Sequence, residues 1–203
     1  MNDQLQTVSS WLGSGSINIF GCPFAGKDTQ GLLLADLLGA ELIAGGEILR
    51  SHHDQEQIQK IMSMGGIIPS ELYLQMLLPV LSSPKLKNVP LVLSTVGRAH
   101  GEEPIILEAT EKSGHPVKAV LFLNVSEDEA WKRFEESKKR GDRGVRQDDS
   151  RESLIIRLKK FQQRTVPVID FYREKGLLVD INGAQSEEEV TNEIISKLAR
   201  IAS

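Results

Sequence analysis

A single cysteine, Cys22, occurs in the 203 residues, which excludes an internal disulfide and any zinc site built from several cysteines. An excess of positive charge is missing as well. Lys and Arg number 24 against 28 Asp and Glu, for a formal net charge of −4, a poor match for nucleic acid or an anionic membrane as main partner. No apolar run is long enough to span a bilayer; the greasiest, "LYLQMLLPVL" from Leu72 to Leu81, is too short and contains Pro79. Residues 1–16 are polar and lack a basic start followed by an apolar stretch, so no secretory signal is read there. Internal repeats and low-complexity tracts are absent. The four histidines, His52, His53, His100 and His115, are scattered and read as surface residues with no metal set among them. What remains is 40% hydrophobic with modest Gly and Pro, enough for one sizeable core. The expectation is a soluble, cytoplasmic, monomeric chain of one domain with inserts.

Four short apolar runs rich in β-branched residues stand out: "INIF" at 17–20, "LVLS" at 91–94, "VKAVLFLNV" at 117–125 and "GLLVDI" at 176–181. "ELIA" at 41–44 reads as a fifth short strand. Helical-period sequence separates them. "TQGLLLADLLG", "EILRSHHDQEQIQKIMSMG" and "SELYLQMLLPVL" carry apolar residues at three and four spacing. A charged helix, "SEDEAWKRFEESKKR", follows the third long strand. Near the C-terminal end Ser186 and Glu189 open "SEEEVTNEIISKLARIA" with a capping-box pattern. Near-continuous apolar strands alternating with helices predict an α/β fold, a parallel five-stranded sheet with helices on both faces. "RGDRGVRQDD" at 140–149 is glycine-rich and charged, and reads as a loop outside the core.

Between the first strand and the first of these helices lies "GCPFAGKDTQ". Gly21 and Gly26 bracket four residues, Cys22, Pro23, Phe24 and Ala25, and Lys27 follows. A strand-to-helix turn of this kind aims successive backbone N–H groups and the positive helix end at one anion. Lys27 can then reach the outer phosphates. The bland alternative is an ordinary connection with a surface lysine; the glycine–lysine pattern in this setting argues against it. The usual hydroxyl directly after the lysine is missing. Asp28 stands there, and Thr29 comes one residue later.

The stretch resembles the nucleoside monophosphate kinases, adenylate kinase above all, whose loop reads G-x-P-G-x-G-K-G-T-Q. Phe24 and Asp28 replace two of that family's glycines. The resemblance covers nearly the whole chain from residue 17 and implies a P-loop NTPase-type sheet with a helical acceptor-binding insert at 45–82. It also implies a short lid at 140–146, the core being 17–44, 85–139 and 147–203. The implied activity is transfer of the γ-phosphoryl of ATP, with Mg²⁺, to a nucleoside monophosphate, AMP above others. Thr29 becomes the candidate hydroxyl for the magnesium shell, and the Asp28 carboxylate is expected to point away from the phosphates.

Further motifs carry the likeness onward. "IAGGEILR" resembles I-S-T-G-D-L-L-R, which gives Arg50 the acceptor phosphate and puts Gly45 where the family has a threonine near the acceptor base. "GGIIPSE" resembles G-x-L-V-P-D-E, with Ile68 lining the base pocket. "LVLSTVGR" corresponds to x-x-L-D-G-F-P-R: Arg98 matches the arginine that grips the acceptor phosphate and the transferring group. Ser94 sits where the family carries a metal-anchoring aspartate, and Glu102 stands in place of its adenine-reading glutamine. A carboxylate accepts from an exocyclic amine but cannot donate to a ring nitrogen. "RGVRQDDSRESLIIRL" resembles the lid junction, so Arg146 and Arg157 would neutralise charge on the moving phosphoryl, with Asp148 and Asp149 as latches. Arg133 matches the arginine against the donor adenine, and Gln185 follows the last strand near that base. Ser137 replaces a further lid arginine, for which Lys138 or Arg140 can substitute. "TVPVIDFY" reads as helix packing. Two other readings stay open: a nucleotide-binding relative without useful turnover, serving as sensor or assembly partner, and a kinase for CMP, UMP, GMP or another phosphorylated small acceptor.

Overall fold

The computed structural model describes residues 2–51, 58, 60–61, 68–140 and 150–203, with Arg50 and Arg140 defined by their backbone. Five strands form one all-parallel sheet: β1 (Ser16–Gly21), β2 (Glu41–Ala44), β3 (Leu91–Ser94), β4 (Val117–Asn124) and β5 (Leu178–Asn182), in the order β2-β3-β1-β4-β5. β1 is central and buried at all six positions. In register, Ile19 faces Ser94 of β3 on one side and Leu121 of β4 on the other. The chain runs from β1 outward to β2, returns to β3, then crosses to β4 and β5. Ligands of open α/β sheets bind beyond the carboxyl ends of the strands, where such an order reverses.

The helices follow the apolar periodicity. They are α1 (Asn2–Leu12), α2 (Lys27–Leu38), α3 (Gly45–Ser51), α4 (Ser70–Leu81), α5 (Glu103–Lys112), α6 (Glu127–Arg140), α7 (Arg151–Lys160), α8 (Val166–Glu174) and α9 (Glu187–Ala202). The capping box of α9 is present as its residues require, Ser186 and Glu189 each bonding the other's backbone N–H. A wide π turn, Phe161–Thr165, joins α7 to α8. Alternation along β3 divides the interior: Val92 belongs to the main core, while Leu91 and Leu93 face a second cluster with Ile48, Tyr73, Leu77 and Ile106. Among the described residues no helix is long and apolar enough to cross a membrane.

Two findings depart from the sequence reading. Residues 1–16 were expected only to be polar, yet α1 buries Val8 and Leu12 and packs on α9. Its signal is Leu5, Val8 and Leu12 at helical spacing in an otherwise polar stretch. His115 is not a surface residue. It is buried, its Nδ1 donating to the Ser14 carbonyl (2.8 Å) while Ser16 Oγ donates to the His115 carbonyl (2.9 Å); it staples the entry of β1 to that of β4. His100 is exposed, as read, and contacts Glu103 (2.9 Å); His52 and His53 lie outside the described residues.

One polar residue interrupts the apolar run of β1. Asn18 is fully buried, and its amide clamps the chain just beyond β3: Nδ2 donates to the Val96 carbonyl (2.8 Å) and Oδ1 accepts from the Val96 N–H (3.3 Å). Thr95, in a left-handed conformation (φ 56°), adds a bond from its N–H to the Ile19 carbonyl (2.9 Å). Asn18→Ala therefore leaves a buried donor and a buried acceptor unpaired, at a cost of about 2–4 kcal/mol. Urea unfolding of the purified variant measures this, and a loss below ~1 kcal/mol would mean that other contacts hold the segment.

Candidate active site

The loop between β1 and α2 is shaped by its backbone. Gly26 sits at φ 90°, a conformation in which a side chain is strained, and none caps the first turn of α2 among the described residues. The N–H groups of that turn therefore remain directed out of the helix toward the loop, an arrangement suited to an anion. Pro23 and Ala25 are buried under the loop. Lys27, half-buried, folds back and donates from Nζ to the Cys22 carbonyl (2.8 Å). Arg133 on α6 ties three pieces together: Nε to Glu129 (2.9 Å), Nη1 to the Ala25 carbonyl (3.4 Å) and Nη2 to the Gly183 carbonyl (2.7 Å). The loop is thus braced from below by β1 and from the side by α6.

Phe24 replaces a glycine of the familiar pattern and takes up a left-handed φ of 64°. Its ring meets Phe134 edge-on at 5.3 Å, and the Arg157 guanidinium lies 5.9 Å from its centroid. The structure therefore brings Arg157, from α7, beside the loop. Arg98 arrives from the other direction, its carbonyl accepting from Thr165 Oγ1 (3.0 Å) in the π turn. Burial pushes the Lys27 ammonium down to about 8 against the raising effect of Cys22 and Asp28, with the positive charges of Arg157 and Arg98 lowering it further. Three of the four expected phosphate-gripping cations thus converge on one place.

Asp28, exposed in the first turn of α2, has one carboxylate oxygen near β3. Oδ1 lies 3.4 Å from the hydroxyl of Ser94, the buried last residue of β3, which donates to it. The α2 geometry explains this: the residue after Lys27 starts the first turn and projects over the carboxyl end of the neighbouring strand. Thr29 is exposed.

On the β2–β3 side a cleft is lined by Gly45, Ile68, Tyr73, Thr95, Arg98 and Glu102, among others. Glu102 is buried and held rigidly, accepting from Ser70 Oγ (2.6 Å) on Oε1 and from the Ala99 N–H (3.0 Å) on Oε2. A side chain at position 45 would have no room, since a Cβ there would stand 2.9 Å from the Tyr73 hydroxyl. Burial, reinforced by the Glu102 charge, pushes the Tyr73 phenol well above its ordinary range. That hydroxyl is buried without a hydrogen-bond partner of full geometry among the described residues. Sequence reasoning missed both Tyr73 and Asn18. The second carried a signal, a lone amide in an otherwise apolar strand; Tyr73 sits in a helix face rich in apolar residues and carried none.

Gln185 lies beside β5, bonded through Nε2 to the Asn182 carbonyl (3.1 Å). Arg50 lies on α3, but its side chain is outside the described residues, as are Arg146, Asp148, Asp149 and the short-lid segment.

Comparison with known proteins agrees with the geometry. The adenylate kinase of Mycolicibacterium paratuberculosis is 32% identical over 174 residues, covering 83% of this chain and 92% of its own. That of Parabacteroides distasonis is 32% identical over 185 residues, 88% of this chain and 95% of its own. That of Dehalococcoides mccartyi is 27% identical over 212 residues, 90% of this chain and 97% of its own. A family profile described as adenylate kinase matches residues 19–177. With the glycine loop, the converging cations and the β2-β3-β1-β4-β5 sheet, the chain belongs to the adenylate kinase family.

Proposed function

We propose that this chain moves the γ-phosphoryl of ATP to AMP, reversibly, in the cytoplasm. The observation that carries the reading is the convergence of Lys27, Arg98 and Arg157 on the mouth of the glycine loop, close enough that the lysine feels both guanidinium charges. Cations this close repel one another. A triphosphate relieves that repulsion, and the charge spread over three equatorial oxygens during transfer relieves it most. Phosphoryl transfer asks for in-line positioning and charge stabilisation rather than covalent help from the protein. No general base is needed, because the acceptor is already an anionic phosphate.

Lys27 and the α2 N-terminus would hold the β- and γ-phosphates, Arg98 the acceptor phosphate and the transferring group, and Arg157 the moving phosphoryl. Arg50 and Arg146 are assigned the same work by their motif positions, and the 45–82 and 140–146 segments would close over the substrates to exclude water. The hydroxyl of Thr29 and the Asp28–Ser94 pair are hard oxygen donors of the kind Mg²⁺ takes, and they fit the ion at this corner of the loop. When bound with ATP, Mg²⁺ neutralises phosphate charge. In the acceptor cleft, Glu102 accepts from the 6-amino group of adenine, and the Tyr73 hydroxyl is the donor available for the ring nitrogen. This division of labour favours AMP over the other acceptors and speaks against a relative without turnover.

An ADP-release assay across AMP, CMP, UMP and GMP should show transfer with AMP preferred. Lys27→Met should cut kcat at least 10²–10³-fold, as loss of a preorganised charge contact does. Comparable turnover in the folded variant would overturn the loop assignment. The nucleotide-free variant should also be more stable than wild type, since a lysine held down to about 8 destabilises the fold whenever it is charged. For the same reason wild-type stability gains from this group as pH rises from about 8 toward 10.5. Near pH 8 Lys27 is roughly half neutral. ATP binding should then take up protons, visible by calorimetry in buffers of different ionisation enthalpy and absent in the variant. Tyr73→Phe should raise KM for AMP about five- to ten-fold and leave KM for ATP unchanged, the size of one lost hydrogen bond. Equal effects on both substrates would remove Tyr73 from the acceptor site.

A further inference from the structure

The segment after β3 that carries Arg98 lies outside any strand or helix. Thr95, Gly97 and Gly101 take positive φ angles of 56°, 71° and 98°, so the chain from residue 95 to 101 turns repeatedly and has no ladder of its own. Its middle is fixed from outside. The Ala99 N–H donates to Glu102 Oε2 (3.0 Å). The residues on either side of Ala99 are both held by the π turn: Thr165 Oγ1 donates to the Arg98 carbonyl (3.0 Å), and the His100 N–H donates to the Arg164 carbonyl (3.1 Å).

The sequence accounts for the turn. Pro167 has no N–H to return to the carbonyl four residues back, so the helical run from α7 to α8 does not stay α-helical through this point. It widens, the Val166 N–H reaching the Phe161 carbonyl five residues back, and the Arg164 carbonyl is left for His100. A threonine within a helix commonly turns its hydroxyl to a carbonyl three or four residues back. Thr165 sends it instead to Arg98, 67 residues earlier in the chain. Packing does not call for that hydroxyl. Val168, Ile169 and Tyr172 anchor α8 in the core, and a valine of the same shape would fill the buried position 165. A buried hydroxyl is favourable only where it is bonded. The same helical run carries Arg157, about two turns before Thr165. We infer that Thr165 is a positioning residue of the acceptor site: through the Arg98 carbonyl it sets that arginine in register with Arg157. Arg98 is the residue assigned to the substrate, and Thr165 reaches it through the backbone alone.

This inference rests on the use of AMP as acceptor proposed above, and its test reads binding as well as turnover. Thr165→Val keeps the shape and removes the donor. Calorimetric titration of T165V should show AMP bound about five- to ten-fold more weakly with ATP unchanged, the size of one lost hydrogen bond. Its kcat should fall about ten-fold, since a small misplacement at the reacting group is costly. Thr165→Ser keeps the hydroxyl and should stay within about two-fold of wild type. A double-variant cycle with Arg98→Ala separates positioning from general loosening of the fold. R98A/T165V should bind AMP as R98A does, because the hydroxyl acts through the arginine, whereas independent effects multiply. Should T165V fail to fold, Thr165→Cys, close in size and a weak donor, carries the same cycle. Equal weakening of AMP and ATP, a loss that multiplies with that of R98A, or a lowered Tm in T165V with both affinities unchanged overturns the inference. If wild type binds AMP and the cycle couples, yet no phosphoryl moves, the proposed activity falls and the positioning role stands. If wild type binds no AMP, both fall.

Discussion

Two hydrogen bonds from the Asn18 amide to the backbone of Val96 hold together everything that the loops above the sheet do. β1 ends in the glycine loop and β3 ends in the segment carrying Arg98. Pairing between the strands stops at Ile19 and Ser94, so beyond that point nothing regular keeps the two loops in register. A side chain that both donates and accepts, buried where its partners cannot turn to water, replaces the missing ladder. Such a fully satisfied amide rigidifies what it spans, and its low-dielectric surroundings make the alternative expensive. Thr165, reaching from the π turn to the Arg98 carbonyl, fixes the same segment from the opposite side. Arg98 is therefore supported through its backbone from two elements, and it lines the cleft on the β2–β3 side.

Preorganisation of this kind has an electrostatic consequence. The fold draws Lys27, Arg98 and Arg157 together before any anion is present, and it pushes the lysine down to about 8 in doing so. Stability is given up locally so that little rearrangement is needed when phosphate arrives, the usual trade at a charge-stabilising site. Cys22 and Asp28 temper the effect on Lys27, and burial pushes the Cys22 thiol up.

Much of the fold was legible because it rests on periodicity. Five apolar runs became five parallel strands, "ELIA" at its expected bounds, and the Ser186–Glu189 box opened its helix. α1 escaped notice because its apolar face is only Leu5, Val8 and Leu12 within polar sequence, and helical propensity that weak declares itself only through packing on α9. The loop itself was readable, since backbone N–H groups, a glycine at positive φ and a lysine form a local pattern. Residues that act from a distance were not. Tyr73 reaches the cleft on the β2–β3 side because position 45 has no side chain, a relation between two helices that no local spacing encodes. His115 looked like an isolated polar residue and is instead a buried staple between two strand entrances, because its backbone neighbours leave a carbonyl for its ring. The direction of Asp28 likewise depends on what β3 presents at its last position, some sixty residues further along the chain.

Phe24 shows how these constraints combine. A left-handed phenylalanine costs about 1–2 kcal/mol that glycine would not, and the familiar loop pattern has glycine there. The ring recovers part of that by lying edge-on to Phe134, a contact of roughly 0.5–1.5 kcal/mol, on the helix that also carries Arg133. The ring also meets the Arg157 guanidinium. A glycine would leave that guanidinium no aromatic surface at the loop. The strained residue thus links the phosphate loop to α7 through the Arg157 guanidinium. An aromatic face attracts a cation through the ring quadrupole and leaves its charge as it is.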